Sequence, residues 1–195
     1  MGEGDTWSQL PHLLPYDPGR LKSAHPVSPT MPDLEILPAT TGHADAIWEI
    51  FQEVIAAGDA YVFEADTTRE QFMAYWFAPA AHPQVALLDG KVAGSYIVKP
   101  NQPGRGSHIA NASYMTASSA RGQGIAGKMC QHSLQLAKSL GFRAMQFNIV
   151  VATNTLAVAL WQKHGFRIIG TLPGSFRHAT LGYVDAYVMF RELDE

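Results

Sequence analysis

The stretch Arg121-Gly122-Gln123-Gly124-Ile125-Ala126-Gly127-Lys128 constrains this chain more than any other. It is a glycine-rich turn between an alternating apolar run and a helical period, and such a strand–turn–helix unit belongs to an α/β domain. Its mechanics are those of an anion cradle. Small residues let the backbone come close, and successive N–H groups at a helix N-terminus aim at the ligand with the positive dipole end behind them. Three patterns fit the letters. As a dinucleotide fingerprint, Gly122, Gly124 and Gly127 match, but the acidic residue due about 20 positions later to hold a ribose is missing. As a Walker A loop, Gly122 and Gly127-Lys128 match, yet Met129 occupies the magnesium-binding Ser/Thr position and no later strand offers an acidic metal partner. The third pattern, Arg-x-x-Gly-x-Gly/Ala on Arg121, Gly124 and Ala126, needs no metal.

Charge points the same way. Of 14 Lys and Arg and 17 Asp and Glu, ten basic and no acidic residues lie between Gly90 and Val184, a net +10. The remainder, 4 basic against 17 acidic, is −13. The bases Lys91, Lys99, Arg105, Arg121, Lys128, Lys138, Arg143, Lys163, Arg167 and Arg177 are spread singly rather than in the dense blocks of a nucleic-acid patch. A phosphorylated cofactor is therefore the favoured anion, with no nucleic-acid partner. The single cysteine, Cys130, excludes a disulfide framework and a multi-cysteine zinc site, no histidine pair has zinc-ligand spacing, and a reducing compartment suits the chain. No segment approaches the roughly 20 apolar residues that span a bilayer and no signal peptide is evident, so the expectation is a soluble cytoplasmic protein with no membrane partner.

Residues 1–32 carry Pro11, Pro15, Pro18, Pro26, Pro29 and Pro32 without a sustained period and read as an irregular extension ahead of one domain over 33–195. Leu34 to Leu37 reads as a strand. Ile47, Ile50, Phe51, Val54 and Ile55 recur at helical spacing until Gly58, and Thr68 to Phe77 reads as a second helix that Pro79 ends. Gln84 to Leu88 and Lys91 to Val98 flank the hairpin signal Asp89-Gly90. A strand from His108 to Thr116, a helix from Gly122 to Leu140, a strand from Ala144 to Val151 and a helix from Asn154 to His164 follow. Asn154 is placed as N-cap and Gly165 as C′ residue. Two last strands, Phe166 to Gly170 and Tyr183 to Arg191, are expected to be joined by an irregular loop through Pro173 and His178.

The third loop pattern resembles the pyrophosphate-binding motif of the GNAT superfamily of acetyltransferases. Asn154-Thr155-Leu156-Ala157-Val158-Ala159-Leu160-Trp161-Gln162-Lys163-His164-Gly165-Phe166 resembles that family's second signature, Asn-x-x-Ala-x-x-Leu-Tyr-x-Lys-x-Gly-Phe, at the expected distance. The resemblance covers most of residues 34–191. It implies a GNAT fold: a mixed, mostly antiparallel sheet with helices on both faces and a splayed parallel strand pair ending near Thr116 and Val151. It also implies acetyl-CoA as acetyl donor, with no metal. Backbone groups around Tyr114, Met115 and Thr116 would hold the pantetheine and support the oxyanion. Arg121, Gly122, Gln123, Gly124, Ile125, Ala126 and Gly127 would hold the pyrophosphate, while Asn154, Trp161 and Lys163 come over from the second signature.

The catalytic parts depart from that family. Trp161 stands where relatives place a Tyr that protonates the leaving sulfur, and an indole N–H donates a hydrogen bond without readily releasing its proton. The usual acidic base is absent, since residues 90–184 contain no carboxylate. Asn111 and Ser113 share one strand face, and Gln146 and Asn148 share one face of the next. Either these amides satisfy one another in the core, or they serve the acceptor. The second alternative draws on a subgroup: Asn111-Ala112-Ser113-Tyr114 and Phe147-Asn148-Ile149-Val150-Val151-Ala152-Thr153-Asn154 resemble the fungal acetyltransferases acting on azetidine-2-carboxylate and related proline analogues. That likeness makes Asn111 and Asn148 the catalytic candidates. Glu64 and Asp66 are weaker candidates for a water-mediated base, and His108 and His178 have no spacing that separates them from surface histidines. Without a strong base, a lysine-like amine of pKa about 10.4 is only about one part in a thousand neutral near pH 7.5, so a low-pKa or prepositioned amine is favoured. The expected reaction is direct acetyl transfer to a small-molecule amine, an amino acid or proline analogue first. Protein or peptide N-acetylation and a non-catalytic CoA-binding module are the alternatives. A homodimer is compatible with the sequence, which does not require one.

Overall fold

A computed structural model describes residues 33–193; the extension expected over residues 1–32 lies outside the described residues. The chain order is β1 (Leu34–Pro38), α1 (Ala44–Ala57), α2 (Arg69–Trp76), β2 (Gln84–Leu88), β3 (Lys91–Pro100), β4 (Ile109–Thr116), α3 (Ile125–Ser139), β5 (Ala144–Val151), α4 (Thr155–Lys163), β6 (Arg167–His178) and β7 (Gly182–Glu192). Local chemistry sets the boundaries. Gly58 closes α1 in the left-handed region. Thr68 opens α2 by a capping box with Gln71. Asn154 accepts from the Ala157 N–H at 3.1 Å to open α4, and Gly165, at φ 81°, follows its end. Asp89 and Gly90, both at positive φ, turn β2 back onto β3.

The strands form one seven-stranded sheet in the order β1-β2-β3-β4-β5-β7-β6. All neighbours are antiparallel except β4 and β5, which run parallel. That pair meets only at Ile109↔Ala144 and Ala110↔Met145, then parts. Helices cover both faces, as the strand alternation shows. Ser113 reaches Tyr75 of α2, while its neighbour Tyr114 reaches Ser133 of α3 and packs on Trp161 of α4. Phe51 of α1 packs on Phe72 of α2 at 5.0 Å, which puts α1 on the α2 side. The core runs along both faces through Phe51, Phe72, Trp76, Tyr96, Met129, Met145 and Met189, all fully buried.

Two boundaries differ from the expectation. The helix predicted from Gly122 begins at Ile125, because Gly122 and Gly124 sit at φ 77°, where a right-handed helix cannot form. The loop predicted through Pro173 and His178 is strand: β6 continues to His178. Its pairing with β7 slips at Ile168/Gly170 and again at Leu172/Phe176, and Pro173 falls inside the second slip. Proline is tolerated there because β6 is the sheet edge and a bulge asks no ladder hydrogen bond of it. No helix among the described residues is long and apolar enough to cross a membrane.

Candidate active site

The turn between β4 and α3 offers an uncapped helix start. Gly124 is the N-cap residue, has no side chain to cap with, and the first helical bond runs from the Lys128 N–H to the Gly124 carbonyl at 3.2 Å. The N–H groups of Ile125, Ala126 and Gly127 therefore lack intrahelical acceptors. A Cβ built on Gly122 or Gly124 meets nothing within 4 Å, so these glycines serve their positive φ rather than a tight fit. Gly127 differs. It is a helical residue facing α4, where an added Cβ would come to 3.5 Å from His164 Nε2 and 3.7 Å from Leu160 Cδ1. Arg121 and Gln123 are exposed beside this start, and no acidic residue occupies the first turn. Such an arrangement suits a diphosphate.

Between the cradle and the opposite face lies the gap where β4 leaves β5. Ala117 donates its N–H to Ala93 of β3, so along β4 the backbone groups of Met115 turn toward β3 and those of Tyr114 and Thr116 turn toward the gap. The Tyr114 carbonyl accepts from Tyr61 Oη at 2.9 Å, across the gap side. Met115 itself buries its side chain in the core, with 2% exposed. A cavity of about 350 Å³ occupies the gap, lined by backbone and side chains of β4 and β5 together with Tyr61, Phe63, Tyr75, Asn154 and Trp161. The indole of Trp161 packs at a tilt on Tyr114 at 4.9 Å and edge-on against Phe147 at 5.1 Å, and its N–H has no acceptor among the described residues. Asn154 reaches the cavity wall while its Oδ1 is committed to capping α4.

Asn111, Ser113, Gln146 and Asn148 lie on the same side of the sheet, as the period-2 counting expects. Asn111 donates from Nδ2 to the Gln146 carbonyl at 2.8 Å, immediately beyond the last parallel register pair. It bridges the strands where their backbones separate. Its Oδ1 has no donor among the described residues, and Asn111 is one of the residues that line the cavity. Gln146 Nε2 donates to Asn148 Oδ1 at 2.8 Å, and Asn148 Nδ2 donates to Asn101 Oδ1 at 2.7 Å. Asn111 and Asn148 both line the cavity, Asn111 tied across to β5 and Asn148 held between Gln146 of its own strand and Asn101 of the β3–β4 loop.

No carboxylate and no histidine lines the cavity. The hydroxyls of Tyr61, Tyr75 and Ser113 do, with Tyr75 Oη 3.3 Å from Ser113 Oγ. Burial, reinforced by neighbouring Tyr75 and opposed by a hydrogen bond to Ser113, pushes the Tyr61 phenol well above its usual range. It is a hydrogen-bond donor at any physiological pH. Tyr61 and Tyr75 were not legible beforehand, since their partners lie 53 and 38 residues away. Several expected candidates fall outside the cavity. Glu64 pairs with Arg177 at 2.6 Å and is exposed. Asp66 shares the α1–α2 loop with it, away from β4 and β5. His108 meets the Arg105 carbonyl, and His178 meets Thr180, both at the surface. Lys163 is exposed in the last turn of α4. Among the described residues no group of three His, Cys, Asp or Glu is placed to hold a metal.

A backbone anion cradle, a splayed parallel pair and a polar cavity between those strands suit an enzyme that binds an extended, anionic cosubstrate. Comparison with known proteins gives the family. The acetyltransferase (GNAT) family model matches residues 44–166. N-acetyltransferase aca1 of Schizosaccharomyces pombe is 31% identical over 151 residues, 69% of this chain and 72% of that protein. The L-amino acid N-acetyltransferase AaaT of Escherichia coli is 28% identical over 58% of this chain and 69% of its own length. Among solved structures, a GCN5-related N-acetyltransferase from Kribbella flavida superposes with a TM-score of 0.79 at 44% identity, covering 82% of this chain and 97% of that one. The chain belongs to the GNAT family, has its fold, and is an acetyl-CoA-dependent N-acetyltransferase.

Proposed function

We propose that the acceptor is a small amine, an amino acid or proline analogue, acetylated on nitrogen within the cavity between β4, β5 and the α1–α2 loop. The observation that carries this is the cavity itself: about 350 Å³, roofed by Tyr61 and Phe63 and lined by amides and hydroxyls. That volume lies near the lower end of the roughly 300–1,000 Å³ usual for small-ligand pockets. An acceptor inside it meets Asn111 and Asn148, the two asparagines that carry the resemblance to the proline-analogue subgroup, together with Ser113 and Tyr75.

The Ile125, Ala126 and Gly127 N–H groups would hold the diphosphate of acetyl-CoA, with Arg121 and Gln123 alongside. The gap-facing backbone of Tyr114 and Thr116 would hold the pantetheine, and Trp161 would pack against it. When bound, acetyl-CoA supplies an activated acyl carbonyl. Asn111 Oδ1 would accept one N–H of the amine and so orient its lone pair, while Asn148 fixes the amide chain behind it. Without a carboxylate or histidine among the described residues lining the cavity, the amine must arrive neutral, and as the C–N bond forms and the C–S bond breaks its proton passes to the departing thiolate. Trp161 would donate a hydrogen bond toward the sulfur without surrendering its proton.

The test is coenzyme thiol release with radiolabelled acetyl-CoA across amino acids, proline analogues, polyamines and peptides. Label recovered in the small-molecule fraction supports the reading. Label confined to peptides or protein replaces it with macromolecular N-acetylation.

A further inference from the structure

Lys99 of β3 has been left without a task. It stands directly opposite Asn111 in the β3–β4 register, so both side chains project from the same face of the sheet. Its ammonium rests 3.9 Å from the ring centroid of Tyr75, whose other atoms line the cavity. The side chain is half-buried. The ion pairs among the described residues are Arg69–Asp45, Arg167–Glu192 and Arg177–Glu64, and none involves Lys99. No carboxylate lines the cavity to balance it, and none exists in the chain from Gly90 to Val184. A lysine held against an aromatic ring beside a polar pocket, with amides on its flank and no ion pair among the described residues, is placed to receive an anion from the ligand.

Resting on the amino-acid reading above, we infer that Lys99 is the carboxylate anchor of the acceptor site and so selects α-amino and α-imino acids over simple amines. The flexible four-carbon stem lets the ammonium leave the Tyr75 ring for a carboxylate lodged beside Asn111. Asn101 and Asn148, joined at 2.7 Å, close the same side with neutral amides that add no competing charge. The pairing also assists the reaction. A free carboxylate next to an amine favours its protonated form, and engaging that carboxylate with a cation removes the bias. An acceptor whose acid group is held by Lys99 is thereby easier to present neutral, which compensates for the missing base.

The experiment compares L-proline with L-prolinamide as acceptors for the wild-type enzyme and for Lys99→Met and Lys99→Arg. Methionine keeps the apolar stem over Tyr75, and unchanged acetyl-CoA affinity by calorimetry establishes that the variant is folded. The wild type is expected to prefer proline, with K99M losing about 10- to 100-fold in kcat/KM for proline, mainly through KM, and only a few-fold for the amide. K99R restores most of the loss. Equal losses on acid and amide, or no wild-type preference for the acid, overturn the anchor while leaving small-amine acetylation intact. If neither acceptor nor any other amine in the small-molecule panel releases thiol, the acceptor reading itself fails, and Lys99 with it.

Discussion

The two halves of the proposed site, the start of α3 and the cavity between β4 and β5, are made of different material. Where acetyl-CoA is proposed to bind, the surface is backbone: the N–H groups that open α3 beyond Gly122 and Gly124 at φ 77°, and the gap-facing groups of Tyr114 and Thr116. In the cavity proposed for the acceptor it is side chain: Asn111 and Ser113 from β4, Asn148 from β5, Tyr75 from α2 and Tyr61 from the loop before it. The backbone end requires only that a few residues be small, so it leaves a contiguous signature. The side-chain end assembles from elements far apart in the chain, and any member can change without altering the fold. One scaffold can thus keep its donor and vary its acceptor.

That division can be attacked by substitution. Trp161 lines the cavity and packs against Tyr114 and Phe147 with 9% exposed, and it should give the largest effect. Trp161→Ala is expected to cost about 3–5 kcal/mol of stability, read as a shift in denaturant midpoint, and to damage both substrates' kinetics. Next comes Asn111→Ala. It removes the bridge to the Gln146 carbonyl and should lower acceptor kcat/KM about 10-fold with little change in acetyl-CoA affinity. Gly124→Ala should do the reverse. A Cβ at that left-handed position costs about 1–2 kcal/mol, expected as roughly 5- to 30-fold weaker acetyl-CoA binding by calorimetry, with the acceptor KM nearly unmoved. Crossed effects in these two variants would break the division.

A smaller effect concerns pH. Burial pushes the Cys130 thiol up to about 12, and it pushes the Tyr61 and Tyr114 phenols above their usual range. Raised pKa values in the folded state mean stability that is complete below the unfolded values and declines as pH rises through the folded ones. The melting temperature should therefore be highest below about pH 8.5 and fall steadily above it, first through Cys130 and from about pH 10 through the tyrosines. A flat profile from pH 8 to 10.5 would show that these groups are solvated, and with them the packing of β4 on α3.

Much of the fold was written locally. The Asp89-Gly90 turn, the Asn154 cap and the Ala144–Val151 strand stand where apolar spacing and turn chemistry put them. The start of α3 and the length of β6 were misjudged for one shared reason. A single residue's conformation, positive φ at Gly124 or a bulged Pro173, depends on neighbours that hydrophobic period does not register. In the site, the cradle could be read because its chemistry is contiguous. Asn111 and Asn148 stood out as polar residues on strands. Tyr61, Tyr75 and Lys99 gave no signal, since a tyrosine in a loop, another on a helix and a lysine on a strand become neighbours only after the sheet and its helices close.

The β4–β5 seam has a mechanical corollary. These strands share two register pairs, fewer than any other neighbours in the sheet, followed by side-chain ties from Asn111 to the Gln146 carbonyl and from Tyr114 to Met145. The sheet is in effect two blades pinned near one end, β1 to β4 on one side and β5, β7 and β6 on the other. Leverage about that pin makes the far opening the place where small rotations are magnified, so a molecule wedged there acts as a spacer that sets the angle between the blades.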